Sequence, residues 1–382
     1  MPAESRIICA ISGGVDSAVA ALTLLRAGHR VEGLHMTNWE DDDGYCTAAT
    51  DLQDARSICA DLEIPLHHVN FAAEYREHVF ADFLAEYESG RTPNPDVLCN
   101  REIKFGVLLD YAQRLGGERI ATGHYARMTP DGRLLKGADP NKDQSYFLHQ
   151  VSREAFGKTL FPLGDLKKGE VRRIANEAGL TVYDKPDSTG ICFIGERPFR
   201  EFLSRFVPES PGDMLTPDGR IVGRHHGLAY YTLGQRQGLG IGGLADGSDD
   251  PWFVAAKDQR RNVLVVVQGR DHPLLWSEGL AASNVHWIGG QPHGLADDGT
   301  LHCCVKTRYR QADIDCAASI CGDELEVHFQ QPQWAVTPGQ YAVFYRGAEC
   351  LGGGPIARAL AADESAATEF NVRVADTGSA PL

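Results

Sequence analysis

Residues 6–17 read Arg-Ile-Ile-Cys-Ala-Ile-Ser-Gly-Gly-Val-Asp-Ser. The apolar run Ile7 to Ile11 is typical of a buried parallel strand. Two glycines follow it, and the next apolar residues are spaced as on one face of a helix: Val15, Val19, Leu22 and Leu25. Gly28 stands where the C-terminal cap of that helix belongs. The sequence therefore predicts a strand, a glycine turn and a helix in direct succession.

A turn of this kind directs backbone N–H groups and a helix N-terminus at an anion. Its two glycines let phosphate oxygens approach the backbone, and Ser12 and Ser17 add hydroxyl donors. Asp16 can hold a magnesium ion beside the phosphates. The turn is not a Walker loop, because it lacks the Gly-Lys-Ser/Thr ending. The alternative interpretation is an ordinary tight turn in a doubly wound fold.

The segment SGGVDS resembles the signature of the PP-loop ATP pyrophosphatases. The resemblance implies that ATP is cut between its α and β phosphates and that an oxygen of the substrate is adenylated. It also implies a set of ATP contacts in and before the turn: Ala10, Ile11, Ser12, Gly13, Gly14, Val15, Asp16 and Ser17.

Composition limits the classes of protein that fit. The chain has 382 residues, of which 43% are hydrophobic, so we expect a globular protein of two or three domains. No apolar run approaches the length of a membrane span, and we expect a cytoplasmic location. The formal net charge of −15 argues against a nucleic-acid partner, unless the basic residues are concentrated on one face.

The ten cysteines do not form a disulfide framework or a zinc motif. No C-x-x-C pair occurs, and Cys9 and Cys59 fall within apolar patterns typical of packing residues. One group near the C-terminus has a spacing that matches no zinc site: His302, Cys303, Cys304, Cys316 and Cys321. We therefore expect no structural metal.

The first half of the chain alternates strands, expected at 31–36, 66–71 and 119–122, with helices, expected at 47–62, 74–89 and 103–115. This alternation predicts an α/β fold with a doubly wound parallel sheet. The stretch 207–219 is turn-rich and reads as a linker, and short β-like runs with glycine turns dominate beyond it. We expect an α/β plus β fold with a catalytic domain at 1–206, a small β-rich domain at 207–275, a β-barrel at 276–362 and a disordered tail at 363–382.

Two further segments carry cysteines in chemically suggestive surroundings. In the first, Thr92–Asn100, Pro95 is suited to open a helical turn that places Asp96 and Cys99 on one side. A thiolate near a helix N-terminus is stabilised, and Asp96 can move a proton. In the second, Cys192 lies between Gly190 and Gly195, which are candidate hinges. Each cysteine, taken alone, is equally well or better explained as a packing residue.

Together, SGGVDS, TPNPDVLCN and DSTGICFIGE resemble the tRNA 2-thiouridylase (MnmA) family, in that order. Further stretches match it, among them ATGHYAR, NKDQSYFL, VKTRYRQ and TPGQYAVFY, so the resemblance covers nearly the whole chain. It implies an adenine nucleotide alpha hydrolase-like PP-loop domain, a small central domain and a C-terminal β-barrel. It also implies that the wobble uridine of tRNAs for Lys, Glu and Gln receives sulfur in place of its 2-oxygen.

The resemblance implies roles for named residues. Met36 and Gly123 contact the adenine nucleotide, which is ATP with Mg²⁺. Cys192 carries a persulfide from a sulfur-relay donor protein, and Cys99 is the nucleophile that forms a transient disulfide with it. The target base meets Asn94, Pro95 and Asp96, with Asp96 as the acid–base group. The implied tRNA contacts are His124, Lys142, Asp143, Gln144, Arg308, Tyr309 and Gln340.

Two other functions fit part of the pattern. One is a PP-loop ligase or amidotransferase that adenylates a small molecule, which needs no distant cysteine pair. The other is a nucleotide-binding module or RNA chaperone without chemistry. The residues do not decide between attack on the base by the persulfide itself and attack by released sulfide.

Overall fold

A computed structural model of the chain describes residues 5–40, 48–187, 198–242 and 250–361. The N-terminal strands, in chain order, are β1 (Arg6–Ala10), β2 (Arg30–Thr37), β3 (Leu66–Asn70), β4 (Arg119–Ala121), β5 (Ala126–Met128), β6 (Leu134–Lys136) and β7 (Thr159–Leu160). The helices are α1 (Val15–Arg26), α2 (Ala48–Asp61), α3 (Ala72–Tyr75), α4 (Ala81–Glu88), α5 (Pro95–Leu98), α6 (Leu108–Arg114), α7 (Ser145–Leu148), α8 (Arg153–Gly157), α9 (Lys168–Glu177) and α10 (Phe199–Leu203).

Five of these strands form the predicted parallel sheet, in the order β3-β2-β1-β4-β7. Cys9 of β1 lies between Gly33 of β2 and Ala121 of β4. The chain order reverses between β1 and β4, and in such sheets ligands bind at that switch point, at the carboxyl ends of the strands. The SGGVDS turn leaves β1 at that edge.

Successive side chains of a strand point to opposite faces of the sheet, and both faces are covered by helices. On one face Ile8 packs with Ile120 and with aromatic residues of the later helices. On the other face Ile7 and Cys9 pack with residues of α1, α2 and α9. Cys9 and Cys59 are both buried in this second cluster, which confirms them as packing residues.

Two predicted helices are longer and less regular than the sequence indicates. The helix expected at 74–89 runs from Ala72 to Glu88, with a π-helical segment at Arg76–Phe80 between α3 and α4. The helix expected to begin at Ile103 instead follows directly from α5 through a π-helical segment, Cys99–Val107, into α6. The helix expected at 47–62 is α2, and Thr47 lies outside the described residues.

A small four-stranded sheet follows, built from β8 (Gly212–Leu215), β9 (Ile221–His225), β10 (Trp252–Asp258) and β11 (Val263–Gln268) in the order β10-β11-β8-β9. The interpretation of 207–219 as a linker is wrong in part, because β8 lies within it. That strand is short and rich in turn residues, and it is held by parallel pairing with β11 and antiparallel pairing with β9. A strand of four residues is too short to show a periodicity in the sequence.

The C-terminal strands are β12 (Trp276–Ser283), β13 (His286–Trp287), β14 (Leu301–Lys306), β15 (Ile314–Cys321), β16 (Glu324–Trp334), β17 (Tyr341–Arg346) and β18 (Glu349–Ala361). The order β12-β16-β15-β14-β17-β18 closes into a six-stranded barrel, because β18 also pairs with β12. The β5–β6 hairpin joins the same sheet through β18.

The α/β plus β fold is thus confirmed, while the expected domain boundaries stay predictions. The tail at 363–382 lies outside the described residues. Within the described ranges, no helix is both long and apolar enough to cross a membrane.

Candidate active site

The glycine turn after β1 is fixed by its contact with α2. Gly13 has φ +84°, and a Cβ atom there would lie 2.7 Å from the backbone oxygen of Asp51. Any larger residue would be strained and would push the turn off α2. Gly14 is the N-cap of α1 and has no side chain to occupy the free N–H groups of the first turn. The N-terminus of α1 therefore stays available to an anion.

The two serines of the motif hold the turn together. The Ser17 hydroxyl is buried and donates to the backbone oxygen of Gly14 at 2.9 Å. It accepts from the backbone N–H of Ser12 at 3.2 Å, and the Ser12 hydroxyl lies 3.3 Å away. Ser12 is exposed. Ser17 thus shapes the turn, whereas the exposed Ser12 hydroxyl is accessible to a ligand.

Asp16 lies between an aromatic hydroxyl and an ammonium group. Its carboxylate accepts from the Tyr125 hydroxyl at 2.7 Å and from Lys168 Nζ at 2.7 and 2.8 Å. Burial, together with the Asp16 charge, raises the pKa of Tyr125. Tyr125 therefore stays a hydrogen-bond donor to Asp16 across the physiological pH range.

A second carboxylate gathers more positive charge beside the turn. Asp187 accepts from Lys142 at 2.5 Å, from Lys168 at 2.7 Å and from Arg172 at 3.0 Å. Burial alone would raise the pKa of Asp187, but the hydrogen bonds from the two lysines lower it to about 2. Asp187 is consequently ionised and fixes these cations in place.

Lys185 adds a further cation on the opposite side of the turn. It donates to the backbone oxygen of Gly13 at 3.2 Å, to Asp51 at 3.1 Å and to Asp54 at 2.5 Å. Four cations, each paired with at least one aspartate, are therefore gathered around the N-terminus of α1: Lys142, Lys168, Arg172 and Lys185. Such a cluster is suited to a polyphosphate, since each cation can exchange a carboxylate for a phosphate oxygen.

The other predicted nucleotide contacts lie at the same edge. A Cβ atom on Gly123 would come within 2.9 Å of the backbone carbon of Asp16, so the turn after β4 packs directly on the start of α1. Met36 lies near the end of β2, beyond Leu34, which is the partner of Ala10. The fold thus brings Ala10, Met36 and Gly123 to the same edge of the parallel sheet, next to SGGVDS.

The donor set at this edge suits a magnesium ion. Carboxylate oxygens are the ligands that Mg²⁺ takes together with water and phosphate oxygens. Asp16 and Asp187 both lie within 2.7 Å of one ammonium group, Lys168 Nζ, so the two carboxylates already converge on a single cation. These two aspartates are the residues that would hold it.

The cysteine segment begins as the sequence predicts. Asn94 is the N-cap of α5 and accepts from the backbone N–H of Asp96 at 3.3 Å, and Pro95 opens the helix. Cys99 follows at the start of the π-helical segment, where it is 1% exposed and packs in the aromatic core. Chemistry at this thiol therefore needs a conformation in which a substrate can reach it.

Burial sets the protonation of two groups near this segment. Burial raises the pKa of Asp96, opposed by the charge of Lys104. Burial lowers the pKa of His124 well below its usual value, and Lys104 adds to that effect. His124 is 8% exposed, and its Nδ1 lies 2.9 Å from the Thr122 hydroxyl. Asp96 can therefore carry a proton closer to neutral pH than an ordinary aspartate, and His124 is neutral.

Known proteins match the chain along almost its full length. Three family models cover it in succession: the tRNA methyl transferase HUP domain at residues 5–196, the tRNA methyl transferase PRC-barrel domain at 200–268 and the aminomethyltransferase beta-barrel domain at 277–356. The tRNA-specific 2-thiouridylase MnmA of Marinobacter nauticus is 56% identical over 363 residues, which are 93% of this chain and 92% of the relative. That of Methylococcus capsulatus is 58% identical over 369 residues, which are 95% of this chain and 99% of the relative.

This chain belongs to the MnmA family of tRNA-specific 2-thiouridylases. Among solved structures, the U34-tRNA thiolase NcsA from Methanococcus maripaludis has a TM-score of 0.33 and 20% identity, over 53% of this chain and 63% of that one. A likeness this distant does not bear on function.

The tRNA contacts implied by the MnmA family lie in two places, and their roles stay predictions. Lys142 belongs to the cation cluster, whereas Asp143 accepts from the backbone of Gly137 and Ser145. Gln144 accepts from the backbone N–H of Tyr125 at 2.9 Å. The internal bonds of Asp143 and Gln144 shape the loop that carries Lys142.

His124, in the turn after β4, lies at the same edge as Lys142, and the remaining contacts belong to loops of the C-terminal barrel: Arg308, Tyr309 and Gln340. Arg308 donates to the backbone oxygens of Leu233 and Ala335 at 3.1 and 2.9 Å. Tyr309 packs on Phe147 with ring centroids 4.3 Å apart. Cys192, the implied persulfide carrier, lies outside the described residues, and so does its pairing with Cys99.

Sequence reasoning missed most of the cations around the turn. Lys168, Arg172 and Lys185 come from segments far along the chain and meet Asp16 and Gly13 only in the fold. A weak signal exists in Lys185, which stands just before the segment of Cys192, and in Asp187, which is the first residue of that segment. Tyr125 lies within the quoted ATGHYAR stretch, but nothing in the sequence pairs it with Asp16.

Proposed function

We propose that this chain is an ATP-dependent tRNA sulfurtransferase that converts the wobble uridine to 2-thiouridine. The observation that carries the proposal is the cation cluster of Lys142, Lys168, Arg172 and Lys185 around the SGGVDS turn, in a chain of the MnmA family. Such a site binds and polarises a triphosphate, which activation of an unreactive carbonyl oxygen requires.

The first step activates the base. The C2 oxygen of the uridine attacks the α-phosphorus of ATP, the bond to the β-phosphate breaks and pyrophosphate leaves. The cations and the N-terminus of α1 stabilise the charge that develops on the leaving group. Magnesium, held by Asp16 and Asp187, would offset part of the same charge. The C2 oxygen becomes part of a good leaving group, AMP.

The second step delivers sulfur. We propose that Cys192 carries a persulfide and that its terminal sulfur ends on C2 while AMP departs with the original oxygen. Cys99 attacks the inner sulfur of the persulfide and is left in a disulfide with Cys192, which an external thiol reduces. Asp96 is the acid–base group of this step, because its raised pKa lets it exchange a proton with the base.

We extend the proposal to the partners. The substrates are tRNAs for Lys, Glu and Gln, the sulfur comes from a persulfide-donor protein of a relay, and the reaction takes place in the cytoplasm. Because predicted tRNA contacts lie on the barrel, we propose that the β-rich C-terminal half binds the tRNA whose base the PP-loop domain activates. A base must leave its stack to reach a buried thiol, as base-modifying enzymes require.

The test is the nucleoside composition of tRNA that lacks the modification, after incubation with the chain, ATP, magnesium and a persulfide source. Mass spectrometry should detect 2-thiouridine together with AMP and pyrophosphate. A methylated uridine of different mass would instead favour the methyl transfer that the family-model names mention. If AMP forms only with a small-molecule acceptor and never with tRNA, the ligase or amidotransferase alternative replaces the proposal.

A further inference from the structure

Two thiols face each other in the C-terminal barrel, in residues that the proposed reaction does not use. Cys303 on β14 and Cys316 on β15 are direct partners in the antiparallel register, with their Sγ atoms 3.7 Å apart. Opposed residues in such a pair have Cα atoms about 4.5–5.5 Å apart, which lies within the range that a disulfide spans. The two cysteines can therefore be joined with little movement of the backbone.

The pair is reached through a cavity at this end of the barrel. Its volume is about 590 Å³, and its walls include Cys303, Cys316, Phe329 and Arg346. A cavity of that size accepts a small molecule. Cys303 is half-buried, whereas Cys316 is buried and packs inside the barrel. A small molecule that enters therefore meets Cys303 first.

Local charge distinguishes Cys303 from its neighbour in sequence. The hydrogen bond from Cys316 lowers the pKa of Cys303, and Arg346 adds to the effect while burial opposes it. Burial and the nearby carboxylate of Asp315, 3.2 Å from its thiol, raise the pKa of Cys304 to about 11. Since the thiolate is the nucleophile, Cys303 is the more reactive of the two.

We propose that Cys303 and Cys316 form a redox-active dithiol that reduces small disulfides of the glutathione class. The Cys303 thiolate attacks one sulfur of the disulfide, forms a mixed disulfide and releases one thiolate. Cys316 then loses its proton, attacks the Cys303 sulfur and releases the second thiolate. The two protein thiols are oxidised by two electrons, and the small disulfide is reduced to two thiols.

A metal site explains the same side chains less well. Among the described residues, no group of three or more His, Cys, Asp or Glu side chains is arranged to hold a metal ion. Cys304 also lines the cavity, but its thiol is directed at Asp315 and not at Cys303 or Cys316. Two opposed thiols without a third ligand are suited to exchange of electrons and not to coordination.

The test treats the full chain with oxidised glutathione, traps the remaining thiols with iodoacetamide and maps the peptides by mass spectrometry. The wild type should give a Cys303–Cys316 linked peptide. In Cys316→Ser the reaction should stop at a mixed disulfide between Cys303 and glutathione. In Cys303→Ser no glutathione should be found on Cys316. The control, Cys304→Ser, should form the Cys303–Cys316 link as the wild type does. In the wild type, Cys303 should react with oxidised glutathione at least about 10-fold faster than Cys304.

The opposite results overturn the proposal. One is a wild type in which Cys303 and Cys316 stay alkylatable after the exposed Cys321 has been oxidised. Another is a Cys303→Ser variant in which Cys316 still reacts, because the order of attack would then be wrong. A stable glutathione adduct on wild-type Cys303 would equally exclude the second step. None of these readouts depends on tRNA thiolation, so the two proposals fail separately.

Discussion

Lys168 links the two aspartates of the proposed nucleotide site. Its side chain is 12% exposed, and its ammonium group lies 2.7 Å from the carboxylates of both Asp16 and Asp187. In this position its ammonium group can stabilise the negative charge that develops on pyrophosphate as the bond between the α and β phosphates breaks. No other described side chain donates to both Asp16 and Asp187.

Replacing Lys168 by methionine should therefore impair the activation step. The variant keeps most of the side-chain volume and loses the charge, so we expect AMP formation at saturating ATP to fall about 100-fold. Lys158→Met is the matched control, since Lys158 pairs with Glu154 at the surface. AMP formation by Lys168→Met at the wild-type rate would show that Lys168 only holds the two aspartates.

Only part of the candidate site could be predicted from the sequence. SGGVDS is contiguous, so its turn, helix start and chemistry follow from local spacing. The cations that complete the site follow from tertiary contacts, because Lys168 and Lys185 reach the turn from separate segments. The position of Cys99 at a helix start was predictable from Asn94 and Pro95, whereas its burial was not.

At the scale of elements, Glu32 ties three strands of the parallel sheet together. Its carboxylate is 5% exposed and accepts from Arg6 of β1 at 2.8 Å, from Arg30 at 3.2 Å and from His67 of β3 at 2.8 Å. The hydrogen bond from Arg6 is the main reason that the pKa of Glu32 falls to about 2, against the effect of burial. The group is thus more stable as a carboxylate in the folded chain than in the unfolded one.

Glu32→Gln should lower the free energy of unfolding by about 2 kcal/mol at pH 7, after the screening around the partly exposed Arg6 and His67 is allowed for. Because the folded pKa lies below the ordinary value of 4.5, the stabilisation is complete above about pH 4.5 and is lost as the pH falls towards 2. Urea unfolding of both proteins over that range measures it. Glu154→Gln is the control at an exposed pair, and a difference that grows at low pH would contradict the account.

The barrel also holds the loop that leads into α5. The Gln340 side chain donates to the backbone oxygen of Thr92 at 2.8 Å, and the backbone N–H of Thr92 donates to Pro338 at 3.0 Å. These bonds fix the entry to the segment of Asn94, Asp96 and Cys99. Gln340, a predicted tRNA contact, therefore also has a positioning role within the chain.

Gln340→Ala separates the two roles. If the side chain positions the loop, kcat for thiolation should fall about 10-fold while the KM for tRNA stays within about twofold. Gln113→Ala, at an exposed position of α6, serves as the control. A rise in KM with unchanged kcat would mean that Gln340 acts through the tRNA alone.

The sequence predicted the β1–α1 unit well and the long strand β18 poorly. The β1–α1 unit has the periodicities of both elements and was predicted within a residue of its bounds. The long strand β18 was not, because its run Gly352-Gly353-Gly354 resembles a turn. In the fold these positions face close backbone, with the oxygen of Ala342 about 2.4 Å from a Cβ built on Gly353. The glycines are a requirement of barrel packing that local pattern does not express.

At the scale of the whole molecule, the acidic balance makes the location of positive charge decisive. The net charge of −15 repels a polyanion at long range, so binding of tRNA must come from a concentrated basic face. Raising monovalent salt from about 50 to about 200 mM should therefore weaken tRNA binding by at least about 10-fold, since counterions are released on binding. Filter binding or fluorescence anisotropy measures this, and a salt-independent affinity would contradict an electrostatic interface.

Two serine variants show whether ATP activation and cysteine sulfur chemistry act on one base. The wild type, Cys99→Ser and Cys192→Ser are incubated with unmodified tRNA, ATP, magnesium and a persulfide source, and the tRNA nucleosides are measured by mass spectrometry. We predict 2-thiouridine with the wild type and none with either variant, while ATP binding is retained in all three. Formation of 2-thiouridine at the wild-type rate by either serine variant would contradict the account.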